Sequence, residues 1–232
     1  MRTVVMMFAA ACVVVRATAG DIVVQKVTGD VSVRHGVTEV WTRIAAGDVL
    51  RPDDTMKTGR RGSAVLVTSA VQAGRKTMTL PADVIVDMSD IRDLSQEELM
   101  LKLTMEKVRA SSYEWKNEDL QIPNTAATHG ADGAPGTLKE TDPATGILQL
   151  NGVRVLFDNG FFATCALKGL KVFRQYPTLG SSFRNRLMVA EALEQVKLRG
   201  EALSEYAALS TMEGLTQEQK SLVKARIQTL RR

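Results

Sequence analysis

The hydrophobic pattern of this 232-residue chain changes period once, between Met88 and Asp90, and no other feature constrains the fold as strongly. From Asp21 to Met88, short β-branched runs alternate apolar and polar residues and are separated by turn residues. Alternation at period two puts every second side chain on one face, the pattern of half-buried antiparallel strands. The runs Ile22–Val27, Val31–Arg34, Val37–Ile44, Thr55–Thr58, Ser63–Thr68, Lys76–Leu80 and Ala82–Asp87 are the predicted strands. Thr28-Gly29-Asp30, Gly47-Asp48, Pro52-Asp53-Asp54 and Gly59-Arg60-Arg61-Gly62 are predicted turns, since glycine tolerates positive φ and Pro-Asp suits the centre of a type I turn. Turn signals about every 8–12 residues point to a small sandwich or barrel-like sheet.

From Asp90 onward the pattern is helical. Ser95-Gln96-Glu97-Glu98 has the form of a capping box, and Leu99, Met100, Leu103 and Lys107 follow as a helical stripe. Leu101, Leu103 and Met105 also alternate, so a strand stays open for 95–110, with helix favoured by the cap. The stretch 113–146, which contains Gly130-Ala131-Asp132-Gly133-Ala134-Pro135-Gly136, loses periodicity and reads as a flexible linker. Beyond it, Ile147–Asn159 and Phe161–Tyr176 form two helical stripes broken at Gly160 and stopped by Pro177. Phe183–Arg199 and Glu201–Met212 form a second pair broken at Gly200, and a last helix starts from Thr216 as N-cap. Two hairpins are fewer than the roughly three repeats a solenoid needs, so this region is expected to lean on the sheet or on a partner. The fold class is therefore α+β: residues 20–90 a β-domain, 91–112 a helix, 113–146 a linker and 147–232 helical hairpins.

The first nineteen residues read as a signal peptide. Arg2 supplies a positive start, Val4–Val15 is an apolar run of about 12 residues, and Ala17 and Ala19 are the small residues a signal peptidase reads. Arg16 ends the run well short of the roughly 20 apolar residues of a membrane span, and no later stretch approaches that length. Export with cleavage before Gly20 is expected, to the periplasm or cell envelope of a bacterium rather than to the medium. Removal of Arg2 and Arg16 leaves 28 Lys and Arg against 26 Asp and Glu. A nearly neutral chain without a concentrated basic block is a poor nucleic-acid binder. Cleavage also removes Cys12, leaving Cys165 as one thiol and no internal disulfide. With aromatics at only 5%, the core must rest on aliphatic residues and methionine.

The β region resembles the FecR domain of bacterial envelope proteins. The residues that carry the resemblance are Gly29-Asp30-Val31-Ser32-Val33, Gly47-Asp48-Val49-Leu50 with Asp53-Asp54, and Thr58-Gly59-Arg60-Arg61-Gly62-Ser63-Ala64-Val65-Leu66-Val67. The founding members of that family carry a surface signal across the inner membrane to an anti-sigma segment. This chain has Thr68-Ser69-Ala70-Val71-Gln72-Ala73-Gly74 in place of the usual Asp-Gly-Ser hairpin, and neither a spanning helix nor a cytoplasmic segment is expected from its pattern. It is similar instead to standalone exported members. The helical region resembles tetratricopeptide repeats, with Gly160, Phe162, Cys165 and Pro177 at the corner, aromatic, small and terminal positions, and Gly200–Tyr206 a weaker echo. That resemblance implies recognition of a protein segment in a groove.

No constellation for chemistry stands out, and neither a catalytic residue, a metal site nor a cofactor is expected. His35 and His129 lie far apart in sequence without closely spaced ligands, and both read as solvated loop residues. Cys165 reads as a buried, inert thiol, Ser63 lacks a nucleophile elbow, and the glycine-rich stretch lacks a phosphate-binding motif. Glu97 and Glu98 suit a helix N-terminus better than acid–base work. Arg60 and Arg61 in their turn, and Trp115, are the candidate partner contacts, whereas Trp41 is expected in the core. The expected role is non-enzymatic contact with an envelope protein, in signalling or envelope organisation. The alternative is a structural module that binds glycan or peptidoglycan through the β-domain.

Overall fold

A computed structural model describes residues 22–70, 74–114 and 142–232. Strands β1 (Ile22–Thr28) and β2 (Val31–Arg34) are joined at Gly29-Asp30, yet they enter different sheets. β1 lies between β4 (Val49–Leu50) and β6 (Ser63–Ala70), with β7 (Gly74–Leu80) beyond, in the order β4-β1-β6-β7. β2 lies between β3 (Thr42–Arg43) and β5 (Thr55–Thr58), with β8 (Val84–Asp87) beyond, in the order β3-β2-β5-β8. All pairings are antiparallel. The alternate residues of each sheet, among them Val24, Leu66 and Met78 in one and Val33, Met56 and Val86 in the other, are buried in a common core. The pairing of β1 with β6 slips between Val24 and Lys26, a bulge that turns both Gln25 and Lys26 to solvent.

Two turns interlock where the strands change sheets. Gly29 adopts φ +68°, and a Cβ there would overlap the carbonyl oxygen of Arg61. A Cβ on Gly62 would in turn overlap the carbonyl oxygen of Asp30, while Gly59 N donates to that same oxygen at 2.8 Å. Glycine is required by contact at both positions, and at Gly29 by conformation as well.

The strand expected over Val37–Ile44 is mostly loop. Only Thr42 and Arg43 pair with β2, opposite Val33 and Ser32, and residues 37–41 swing away from the sheet. Val37 and Val40, three residues apart, do not sit at the period a strand needs, and both stand exposed. Trp41 is correspondingly at the rim rather than in the core, with the Arg34 guanidinium 5.3 Å and the Lys57 ammonium 5.7 Å from its ring centre. Such cation–π contacts stabilise a ring that burial does not.

A 3₁₀ turn over Met88–Asp90 leads to helix α1 (Gln96–Glu114). Ser95 Oγ accepts from Glu98 N at 3.1 Å, but the Glu98 carboxylate turns to Arg92 and Lys102, so only half of the capping box forms. Helix α2 (Pro143–Asp158) starts from Asp142, whose carboxylate accepts from Ala144 N at 3.1 Å, with proline at the first position. The ends of α1 and α2 thus extend into the stretch read as a linker, most of which lies outside the described residues. Helices α3 (Phe162–Gln175), α4 (Pro177–Gly180), α5 (Phe183–Gln195), α6 (Arg199–Ser210) and α7 (Gln217–Arg231) follow. The described chain is α+β, two antiparallel sheets followed by seven helices. None of these helices is long and apolar enough to cross a membrane.

The longer helices stack pairwise, α2 on α3, α3 on α5, α5 on α6 and α6 on α7. Gly160, at φ +78°, makes the α2–α3 corner, where Phe157 and Phe162 meet edge to face at 5.3 Å. The second corner is not at Gly200, which lies in the first turn of α6 with open space around it. The chain turns three residues earlier, where Lys197 adopts φ +61°. Leu193 O and Glu194 O accept there from Leu198 N and Lys197 N, so hydrogen bonding holds a non-glycine residue in the left-handed region.

Candidate functional site at the sandwich–helix junction

The outer face of the second sheet carries a polar row set by register. Arg34 stands opposite Thr55, and Thr55 opposite Asp87, so all three point the same way on adjacent strands. Thr55 Oγ1 donates to Asp87 Oδ1 at 2.8 Å, and Arg34 Nη2 approaches Thr55 Oγ1 at 3.4 Å. Helix α3 completes the row by inserting Lys168, which is 9% exposed, so that its ammonium donates to Asp87 Oδ2 and stands 3.3 Å from Asp90 Oδ2. The Asp90 contact has the distance of an ion pair without the alignment of a hydrogen bond, and Asp90 Oδ2 accepts none among the described residues.

Burial alone would neutralise Lys168, but the Asp90 and Asp87 carboxylates outweigh it and raise the ammonium's pKa. Burial likewise works to raise Asp87, but Lys168, aided by the Thr55 hydroxyl, brings it below the usual carboxylate value. Asp90 goes the other way, raised by burial against the pull of Lys168 and helped by the neighbouring Asp87 charge. Lys168 is thus held as a donor between two carboxylates. This arrangement ties α3 to the end of β8 and the turn that follows it.

Two further contacts fasten the helices here. Asn151 Nδ2 of α2 donates to Asp83 O at 2.8 Å. Lys76 of β7 donates to Asn159 O, with its ammonium 3.9 Å from the centre of the Phe161 ring. Above the Lys168 cluster opens a groove of about 320 Å³ between α1 and α3, walled by Lys102, Glu106, Arg109 and Lys171. Glu106 bridges Arg109 at 2.7 Å and Arg174 at 3.0 Å, and these two cations hold its pKa down although burial works to raise it.

The residues singled out from sequence do not assemble into this site. Arg60 and Arg61 are exposed at the interlocked turn, on the sandwich, and Ser63 opens β6. Ala17, Ala19, Trp115 and His129 lie outside the described residues. His35 is largely exposed as expected, yet its Nδ1 is 2.8 Å from Oδ1 of the buried Asp54, whose other oxygen accepts from Arg51 N. That pair fastens the turn before β5. Cys165 is fully buried, and burial, with the Asp158 charge, pushes its thiol up and away from reactivity. Among the described residues, no group of three or more His, Cys, Asp or Glu is placed to hold a metal ion.

Lys168, Asp87 and Asp90 were not singled out by the sequence reading. The available signal was a lysine on the apolar side of α3, whose neighbours Cys165, Gly169 and Val172 are all buried. A buried lysine calls for carboxylate partners, but spacing does not say which of 26 acids supplies them.

What fold and site together define is an α+β protein whose helical array is fastened by a buried ionic cluster to the outer face of a β-sandwich. No family model, curated protein or solved structure matches the chain.

Proposed function

We propose that this chain is a non-enzymatic, exported binding protein of the bacterial envelope, with a FecR-like sandwich and a tetratricopeptide-like helical region acting as one adaptor. The signal-like residues 1–19, with Ala17 and Ala19 at the cleavage positions, support export to the periplasm or envelope. The glycine-bearing turns that interlock at Gly29 and Gly62 fall within the motifs that carry the FecR resemblance. The Gly160 corner and the buried Cys165 support the tetratricopeptide-like reading of α2 and α3.

The observation that carries the adaptor reading is the junction itself. Lys168 with Asp87 and Asp90, and Asn151 with Asp83, hold the helices at a defined place on the sandwich. Surfaces on the two halves are then presented in a constant relation, as a protein that brings partners together requires.

The test is retention of a defined partner from solubilised envelope fractions on the immobilised chain 20–232, followed by reconstitution from the two purified components. A one-to-one complex that the heat-unfolded chain does not form is expected. Failure to reconstitute a complex, or equal retention by the unfolded chain, overturns the reading. Retention of the chain on purified sacculi without any protein partner would replace it with the glycan-binding alternative.

A further inference from the structure

The helices meet the outer face of the second sheet on its β8 side, and on the other side register gathers cations. Ser32 of β2 stands opposite Arg43 of β3 and opposite Lys57 of β5, and Arg34 lies two residues further along β2. Val31 and Val33 are buried between the sheets, so Ser32, Arg34 and the residues opposite them face outward. Neighbouring strands run about 4.8 Å apart, which puts the backbones of the three cations within about 10 Å of one another. None of Arg34, Arg43 and Lys57 is in an ion pair among the described residues. Asp87, the one acid in the four strands of this sheet, is taken by Lys168.

The loop 36–41 rises beside these cations. Val37 and Val40 are its apolar tips, 101% and 68% exposed, the two most exposed large apolar side chains among the described residues. Trp41, 36% exposed, stands between them and the sheet, with its ring over Arg34 and Lys57. An acidic saccharide or a nucleic-acid backbone could meet the cations and the indole but would leave both valines in water. A folded protein partner needs about 800 Å² on each side, more than a narrow loop tip supplies. An anionic bilayer uses all three levels: aliphatic tips below the headgroups, an indole at the boundary and cations against phosphate. We propose that the Val37–Trp41 loop is a peripheral contact with an anionic lipid bilayer, Val37 and Val40 entering the headgroup–acyl boundary while Arg34, Arg43 and Lys57 meet lipid phosphates. Glu39, a carboxylate that stays with water, keeps the insertion shallow and the contact reversible. This goes beyond the adaptor reading, since lipid contact by the sandwich needs no protein partner.

The chain 20–232 contains every described residue and omits the apolar run Val4–Val15, which would bind lipid by itself. In a Trp115→Phe background Trp41 is the single tryptophan, and its emission reports contact with added vesicles. A blue shift with phosphatidylcholine vesicles containing phosphatidylglycerol, but not with phosphatidylcholine alone, is expected. Lipid brominated in its acyl chains should quench the emission, and salt should release the chain. Val37→Ser/Val40→Ser should weaken binding about tenfold, the loss for two partly inserted aliphatic side chains, with an unchanged thermal midpoint because both are exposed. Arg43→Gln/Lys57→Gln should also weaken it by about tenfold or more. Lys220→Gln/Lys224→Gln removes the same charge from α7 and should leave binding as it was. Undiminished binding of the valine variant, equal loss in the α7 variant, or a bound Trp41 that the bromines do not quench would each overturn the proposal. So would failure to bind any vesicle. Retention on an anionic polysaccharide in that case, lost in Arg43→Gln/Lys57→Gln and kept in the valine variant, would give this face to an acidic glycan instead.

Discussion

Gly152 of α2 lies so close to the carbonyl of Ile85 on β8 that a Cβ at position 152 would overlap the Ile85 oxygen and crowd Val86. Helix and strand meet there backbone to backbone. This approach lets α2 cover Ile85, which faces out of the sandwich yet is buried. Gly152→Ala must either push α2 from the sheet or strain both, and is expected to destabilise the chain by about 1–3 kcal/mol, the range for overpacking. Thermal unfolding would show it as a drop of roughly 2–4 °C per kcal/mol for a chain of this size. An unchanged midpoint would mean that the junction is looser than described.

Asp87 and Asp90 flank the same ammonium, but their pKa values move in opposite directions and removal of charge should cost unequally. Asp87→Asn deprives Lys168 of its hydrogen-bonded carboxylate and is expected to cost about 3 kcal/mol at neutral pH, as for a broken buried pair. Because the folded-state pKa of Asp87 is lowered, its contribution is complete above the unfolded value of 3.8 and is lost as pH falls through the folded value. Wild type and Asp87→Asn should therefore begin to converge in stability below pH 3.8 and meet once pH has fallen through the lowered folded value. Asp90 has a raised pKa, so its ionised form opposes folding, and that penalty is present once pH exceeds the folded value. Asp90→Asn should accordingly cost much less than Asp87→Asn at neutral pH. Urea titrations at neutral and acid pH measure both, and a larger loss in Asp90→Asn would reverse the assignment.

Gly200 and Lys197 exchange the roles that the sequence pattern assigns. Gly200 sits in the first turn of α6 with nothing within 4 Å of a Cβ, so Gly200→Ala should stabilise by about 0.5 kcal/mol through the unfolded chain. Lys197→Gly relieves a positive φ and is expected to be neutral or stabilising by up to about 1 kcal/mol. If Gly200→Ala destabilises instead, the corner lies where the glycine is.

Cys165 should be silent in the native state. In a Cys12→Ser chain, an aromatic disulfide reagent is expected to modify Cys165 only at the rate of unfolding, because the thiol is fully buried and its pKa is raised. Immediate stoichiometric reaction without denaturant would show an open α2–α3 hairpin.

The strands were legible where alternation and turn chemistry agree, as at Val31–Arg34 and Thr55–Thr58, and the Thr216 cap forms with Gln219 as its reciprocal partner. Legibility failed where an element is made by its partner. Val49–Leu50 is a strand only because it pairs with Ile22 and Val23, and Val37–Val40 resembles a strand but finds nothing to pair with. The ionic cluster was hidden for the same reason. Lys168 is 81 residues from Asp87, and only the docking of α3 on the sandwich brings them together.

Local sequence, through the period of its apolar residues and the placing of glycine, proline and capping groups, determined that this protein would be strands followed by helices and where most of them would begin. Those signals act over a turn of backbone and so can be read within a short window. Tertiary structure alone decided that β1 and β2 enter different sheets, that Trp41 stays at the rim, and that Lys168 closes on Asp87 and Asp90. Each of these depends on burial and charge shared between segments distant in the chain, where desolvation and pairing act only once the surfaces have met.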